Sequence, residues 1–279
     1  MGSVLTERGG IGSATSRSCR QTVFILGVRA DNIRGETALD LIQGFARDKE
    51  RRASSKVIFT NVHTIHSARR DPELLSCINN ADLVLPDGAG LKIAGRLLGS
   101  PILENLNGTD FIPRVLFRAV SERWTVYLLG AQQEVVDACR HWLLEQYPGL
   151  QVVGFHDGHF SHEEEERIVE DINIKCPHIL LVSMGTPVQE KWIARNATRL
   201  NAGVCLAVGG LFDFLSGAKA RAPIWMRRFG IEWLFRFVLD PKSKWQRVFV
   251  EIPAFLSLIL IEWLLRRRVR TPVLWKGSA

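Results

Sequence analysis

The residues best suited to do chemistry stand in three short groups, each directly after an apolar run. The first is Leu85-Pro86-Asp87-Gly88-Ala89-Gly90, a carboxylate followed by glycines that let a ligand or a backbone come close. An acid so placed can take a proton from a hydroxyl, hydrogen-bond a sugar, or cap the next helix, and capping is the commonest of the three. The second group is Met184-Gly185-Thr186-Pro187-Val188-Gln189-Glu190-Lys191-Trp192. Gly185 permits a tight turn, and Gln189 and Glu190 open a helix with polar groups able to face a pocket; a helix start without any ligand fits the same residues. The third is Val208-Gly209-Gly210-Leu211-Phe212-Asp213, whose paired glycines bare backbone N–H groups for a phosphate and whose Asp213 can accept from a ribose or base. Neither GxxxxGK[ST] nor a complete GxGxxG after a strand occurs, which disfavours a nucleotide hydrolase or a dinucleotide dehydrogenase. No GxSxG elbow supports acyl chemistry. His63 with His66, and His156 with His159, lack the spacing of a strong metal-ligand motif, so no metal site is expected.

Bringing these groups together takes a sheet whose strands all end on one side. Apolar runs at Thr22–Val28, Lys56–Asn61, Leu83–Pro86, Thr125–Gly130, Gln151–Phe155, His178–Met184 and Gly203–Val208 predict strands. Helical patterns at Glu36–Arg52, Asp71–Asn80, Gly88–Leu98, Thr109–Ser121, Gln132–Gln146, Ser161–Asn173 and Pro187–Thr198 alternate with them. Ser161 with Glu164 reads as a capping box. This alternation predicts an α/β fold, a Rossmann-like, largely parallel sheet flanked by helices, with ligands at the strand ends where Gly130, Gly185, Gly209 and Gly210 fall.

Charge divides the chain. Residues 219–279 carry 13 lysines and arginines against four acids, whereas the first 218 residues carry 23 against 25. The net charge of +7 is therefore all C-terminal, together with five of the eight tryptophans. Such a tail suits an anionic partner, lipid headgroups or nucleic acid. Its run Val248–Leu265 has the length of a short membrane span, but Glu251, Pro253 and Glu262 interrupt it and an arginine cluster follows. A basic amphipathic helix on the membrane surface is expected, with packing on the protein's own core as the alternative. The expected organisation is a flexible arm over 1–21, an α/β domain over 22–220 and a basic helical appendage over 221–279, whose part 248–279 could be lost with the α/β body still folded. Five cysteines without CxxC spacing predict reduced thiols.

Asn61, Ala81-Asp82-Leu83-Val84-Leu85-Pro86-Asp87-Gly88, Gly108-Thr109-Asp110, Leu128-Leu129-Gly130-Ala131, Gly154 to Phe160, Gly185 to Trp192, Gly209 to Asp213 and Arg221-Ala222-Pro223 together resemble the WecG/TagA/CpsF glycosyltransferases, over roughly residues 22–247. The resemblance implies inverting, metal-independent transfer of a hexose or N-acetylhexosamine from a UDP-sugar to a polyprenyl-diphosphate-linked acceptor. The setting would be exopolysaccharide, capsule or cell-wall polymer synthesis at the cytoplasmic face of the bacterial inner membrane. It implies Asp87 as general base and Asn61 and Gln189 as catalytic partners. Gly130, Gly185, Gly209, Gly210 and Asp213 would line the donor site, and Arg236 would close over the diphosphate. An anionic membrane surface would be a partner and nucleic acid would not; a homo-oligomer is left open. Five positions depart from the family pattern: Phe59, beside Thr60, stands for a threonine, Asn105 for an arginine, His159 for a tyrosine, and Ser243 and Gln246 for two appendage arginines. Lys242, Lys244 and Arg247 could supply that charge. These departures favour an unspecified UDP-hexose over N-acetylmannosamine, and exopolysaccharide or capsule as the setting. A nucleic-acid-binding protein or a non-catalytic membrane scaffold is the alternative.

Overall fold

A computed structural model describes residues 21–48, 50–223, 225–226 and 231–270. The arm expected over 1–21, except Gln21, and the end of the appendage at 271–279 lie outside the described residues.

The first expected strand is two. β1 (Thr22–Ile25) and β2 (Val28–Asp31) form an antiparallel hairpin apart from the main sheet. The chain reverses at Leu26 and Gly27, both at positive φ (52° and 84°), the backbone of a tight two-residue hairpin turn. Leucine is a rare occupant of such a turn, so the run looks unbroken in sequence. The hairpin shields one end of the sheet: the Asp31 carboxylate accepts from Val84 N at 2.8 Å and pairs with Arg29.

The main sheet contains β3 (Ser55–Thr60), β4 (Leu83–Pro86), β5 (Thr125–Gly130), β6 (Gln151–His156), β7 (Ile179–Ser183) and β8 (Val204–Ala207). All pairings are parallel, in the order β4-β3-β8-β7-β5-β6. The continuous apolarity of β4, β7 and β8 follows, since a parallel sheet is covered on both faces and every residue of these strands is buried. On one face α1 (Gly35–Arg47), α5 (Gly108–Ser121) and α6 (Gln133–Gln146) pack through Leu39, Ile42, Phe111, Val115, Val136 and Leu143. On the other lie α2 (Val62–Ala68), α3 (Pro72–Asn79), α4 (Ala89–Leu97), α7 (His162–Lys175) and α8 (Val188–Asn196). The capping box of α7 is formed as expected by Ser161 and Glu164. A five-residue helix, α9 (Leu211–Leu215), follows β8.

The appendage continues as α10 (Glu232–Leu239), α11 (Pro241–Gln246), a π-helical turn (Arg247–Glu251) and α12 (Ile252–Arg270). The helical stretch Lys244–Arg266 is long and apolar enough by length and composition to cross a membrane, with 17% of its most apolar window buried. That buried part is core: Phe255 and Ile259 join Ile65 of α2 and Leu91 and Ala94 of α4. The packing alternative is therefore met along one face of this segment, and another face is exposed. Losing it would uncover that part of the core, so the appendage is built into the fold.

Gly130 ends β5 at φ +131°, and a β-carbon there would stand 2.3 Å from the carbonyl oxygen of Ser183. Gly27 also has a positive φ, 84°, but nothing lies within 4 Å of where its β-carbon would be. Gly27→Ala should therefore cost only backbone strain, about 1–2 kcal/mol. Gly130→Ala should add a clash with immovable backbone and cost more, about 3 kcal/mol or above. Urea unfolding of the two variants checks the ranking.

Candidate active site

Every sequence-predicted group sits at the C-terminal edge of the sheet: Asn61 after β3, Asp87 after β4, Gly130 ending β5, Gly185 after β7 and Gly209 after β8. Asn61 is the N-cap of α2. Its Oδ1 accepts from Thr64 N at 3.1 Å, which leaves its Nδ2 to donate to Asp87 Oδ2 at 3.1 Å. An amide does both jobs because one end accepts and the other donates; an aspartate would cap equally well but repel Asp87.

Asp87 does not cap α4, contrary to the commonest expectation. Gly88, at φ 98°, holds the N-cap position, and no side chain caps the helix. The Gly88 N–H is instead taken by Asn105 Oδ1 at 2.6 Å, so the residue standing where the family pattern has arginine secures the Asp87 turn. The Asp87 carboxylate is thereby left half-buried beside Asn61. Burial pushes its carboxyl above the ordinary aspartate range and outweighs three opposing effects, the Asn61 hydrogen bond and the positive charges of Arg236 and Arg247.

Those cations come from the appendage. Arg236 lies over the Phe214 ring of α9, 4.6 Å from its centroid, and pairs with Glu232 one helical turn earlier. Arg247 opens the π-helical turn, where burial and the neighbouring Arg236 lower its pKa, against the pull of Asp87, Glu251 and Glu232. Lys244 is also lowered, by burial and then by Arg247, Lys219 and Arg236. Mutually repelling cations gathered in one place describe an anion site. The turn is anchored by Glu251, 6% exposed, whose Oε2 meets Nδ1 of His63 on α2 at 2.8 Å. Burial pushes the Glu251 carboxyl up, but its bond to His63 and the charges of His63, Arg247 and His66 bring it below its usual value.

A second group surrounds the paired glycines. Gln189 is buried, with Oε1 accepting from Gly209 N at 2.9 Å and Nε2 donating to Glu190 Oε1 at 2.9 Å. Thr186 Oγ1 donates to the same Glu190 oxygen at 2.9 Å, and the Ser183 hydroxyl donates to the Gly209 carbonyl. Burial raises the Glu190 carboxyl, against the hydrogen bonds from Gln189 and Thr186. The Gly209-Gly210 turn is thus held from both sides, by Gln189 and by Ser183. Asp213 pairs with Lys219, and Gly210 leaves room against the Asp213 carboxylate. Gly130 lies against the Ser183 backbone, and Gly158 closes on Gly130 from the next loop.

His63 and Glu251 carry weight in this arrangement that sequence reasoning does not assign to them. His63 and Glu251 are 188 residues apart and have no spacing signal. Arg221, known from sequence only as part of a motif, pairs with Asp110 of Gly108-Thr109-Asp110 and ties the start of the appendage to α5. His156 and His159 serve backbone: His156 Nδ1 lies 3.0 Å from the Asp157 carbonyl and His159 Nδ1 3.1 Å from that of Ala131. Among the described residues no group of three or more His, Cys, Asp or Glu side chains is placed to hold a metal ion.

The strand ends thus bring together an acid after a parallel strand and two arginines of the appendage. Residues 23–269 match the Glycosyl transferase WecG/TagA/CpsF family, and the chain belongs to it. Its similarity to an N-acetylglucosaminyldiphosphoundecaprenol N-acetyl-beta-D-mannosaminyltransferase of Staphylococcus aureus is 30% identity over 247 residues, 87% of this chain and 94% of that protein. A protein of the same name from Bacillus spizizenii is 28% identical over 204 residues, 73% of this chain and 78% of its own. The protein is a glycosyltransferase.

Two measurements probe the charge balance. If Asp87 is the base it works deprotonated, and with its pKa raised the acidic limb of the kcat/KM profile should lie above the ordinary aspartate range near 3.8. Arg236→Gln removes a charge that favours the carboxylate and should move that limb to higher pH, whereas Glu232→Gln should move it lower. For the anchor, His63→Ala strands a buried carboxylate and should cost about 1–3 kcal/mol in urea unfolding. Adding Glu251→Gln should recover part of that loss. Glu251 is depressed on folding, so its contribution should be complete above about its unfolded value of 4.5 and vanish as pH falls through the folded value.

Proposed function

We propose that the protein transfers an N-acetylhexosamine, with N-acetylmannosamine the first candidate, from its UDP-sugar to a polyprenyl-diphosphate-linked N-acetylglucosamine, with inversion. The α/β body over 22–220 holds the sugar nucleotide and the appendage over 221–279 covers it. The observation that carries this reading is the raised Asp87 carboxylate between the Asn61 amide and the guanidinium groups of Arg236 and Arg247.

In the proposed step the acceptor hydroxyl oxygen bonds to the anomeric carbon as the bond from that carbon to the UDP oxygen breaks. Asp87 takes the hydroxyl proton and UDP leaves with the bonding pair. Charge builds on the departing diphosphate, and Arg236, Arg247 and Lys244 supply the countercharge. Asn61 holds the carboxylate in one orientation through its 3.1 Å hydrogen bond. Gln189 acts on the donor through Gly209, whose N–H it holds at 2.9 Å, and Asp213 faces the nucleoside. The N-acetylmannosamine choice rests on the names of both relatives. It takes precedence over the unspecified hexose that the sequence departures favour, because two departures have structural duties: Asn105 secures Gly88 and His159 the Ala131 carbonyl.

The acceptor's lipid calls for a membrane. We place the protein as a peripheral enzyme at the cytoplasmic face of the bacterial inner membrane, docked through Trp233, Trp245, Phe249, Leu256, Leu260 and Leu264. All six are exposed, and Phe255 and Ile259 of the same helix are committed to the core, which suits lying on a bilayer better than crossing it.

UDP release should appear when UDP-N-acetylmannosamine and N-acetylglucosaminyl-diphospho-polyprenol are supplied together, and EDTA should not alter it. Asp87→Asn should lower kcat by about 100-fold or more while UDP affinity, read by calorimetry, changes little. Retained turnover in Asp87→Asn would remove that residue from the base role. A different UDP-sugar giving the release would change the donor and leave the chemistry.

A further inference from the structure

Helix α4 leaves the Asp87-Gly88 turn and runs beside α12. Near its start, a β-carbon on Gly90 would stand 2.4 Å from Val62 Cγ2 and 3.8 Å from Phe255 Cε1, so this face of α4 meets α2 and α12. At its end, the Leu98 carbonyl accepts from Arg266 Nη1 at 3.2 Å. The two helices therefore lie side by side, pointing the same way, away from Asp87. At about 100° per residue Leu97 returns to within about 20° of the Gly90 direction, and Ile93 is its neighbour one turn earlier. Both belong to the flank of α4 next to α12, yet Ile93 is 48% and Leu97 45% exposed. Exposed leucines of α12 follow a four-residue repeat at Leu256, Leu260 and Leu264. The open apolar surface thus extends from the appendage onto the α/β body.

On α4 its charge is of one sign. Between Gly88 and Leu103 the chain has Lys92 and Arg96 and no acid. Apolar side chains at helical spacing with cations alongside match an anionic bilayer, whose acyl region takes the former and whose phosphates take the latter. A second copy of the chain, meeting α4 in a self-complementary contact, would find no opposite charge on that helix. We propose that α4 is a membrane-contacting helix in its own right. The phospholipid surface is then gripped by α4 and α12 together, and the Asp87 turn from which α4 starts is held at headgroup depth. This inference rests on the membrane-docked transferase reading.

The test is sedimentation of the full chain with vesicles of phosphatidylethanolamine and phosphatidylglycerol. Ile93→Gln/Leu97→Gln should weaken partitioning about tenfold, equivalent to about 1.4 kcal/mol. Phe117→Gln on α5, at the opposite face of the sheet and 71% exposed, should stay within about twofold of wild type. Hydrogen exchange of residues 89–98 in the wild-type chain gives a readout that does not depend on a variant's folding, and vesicles should slow it. Equal partitioning of the double variant and wild type, an equal loss in Phe117→Gln, or unchanged exchange in α4 would overturn the inference and leave the docked transferase standing. A wild-type dimer in the absence of vesicles that the double variant abolishes would also overturn it, in favour of a contact between copies. Wild-type protein that ignores vesicles would remove the membrane reading itself.

Discussion

The Asp87 carboxylate, proposed above as the base, is drawn partly out of water yet not left without compensating charge, and the compensation comes from a segment about 150 residues further along the chain. What holds that segment in register is its packing on two particular helices. Phe255 and Ile259 of α12 are buried against α2 and α4, and Glu251 is bonded to His63 of α2. These are the helices that begin at Asn61 and just after Asp87. The elements that orient the carboxylate are thus the same ones that seat its cationic cover. A shift of α12 along α4 would carry Arg247 away from Asp87 and at once uncover apolar surface, so the charge pairing inherits the rigidity of the core.

The same geometry decides how the tail's positive charge should be understood. Counted along the sequence it is a basic segment of the kind that binds phosphates of any origin. In space, Arg236 and Arg247 stabilise the Asp87 carboxylate and repel one another. Charge turned inward on a single acid is a poor surface for a nucleic-acid backbone, which needs cations spread along a solvated face. It is a good enclosure for one compact anion.

The strand ends were readable from sequence because a parallel sheet covered on both faces demands uninterrupted apolar runs, and the turns after them demand glycine. β4 and β5 fall where the pattern predicts them, and the other strands of the sheet are displaced by at most a residue or two. The β1–β2 hairpin was hidden because its turn uses leucine at positive φ, a conformation that residue type does not announce. Motif reasoning pointed to Asn61, Asp87 and Gln189, but only coordinates distinguish a capping aspartate from a free one. His63, Glu251 and Asn105 are ordinary residues in sequence; their roles exist through contacts across the fold, and one chain without spacing constraints carries no trace of them.

Within the enclosure the ion pairs differ in what they cost to break. His63 with Glu251 joins two elements, and Glu251 is nearly excluded from solvent, so parting them leaves a buried charge. Glu232 with Arg236 is a part-buried pair one turn apart on one helix, and Asp213 with Lys219 spans a short loop with the lysine exposed to water. A diphosphate carries more charge than either carboxylate and can take both cations, so it would replace Glu232 and Asp213 at little expense while the His63 anchor stays closed. Glu190 fits the same logic. Its carboxyl, raised by burial, accepts from Gln189 and Thr186 and so holds both beside the glycine turn. The fold thus separates pairs that fix the cover from pairs that keep the cations available.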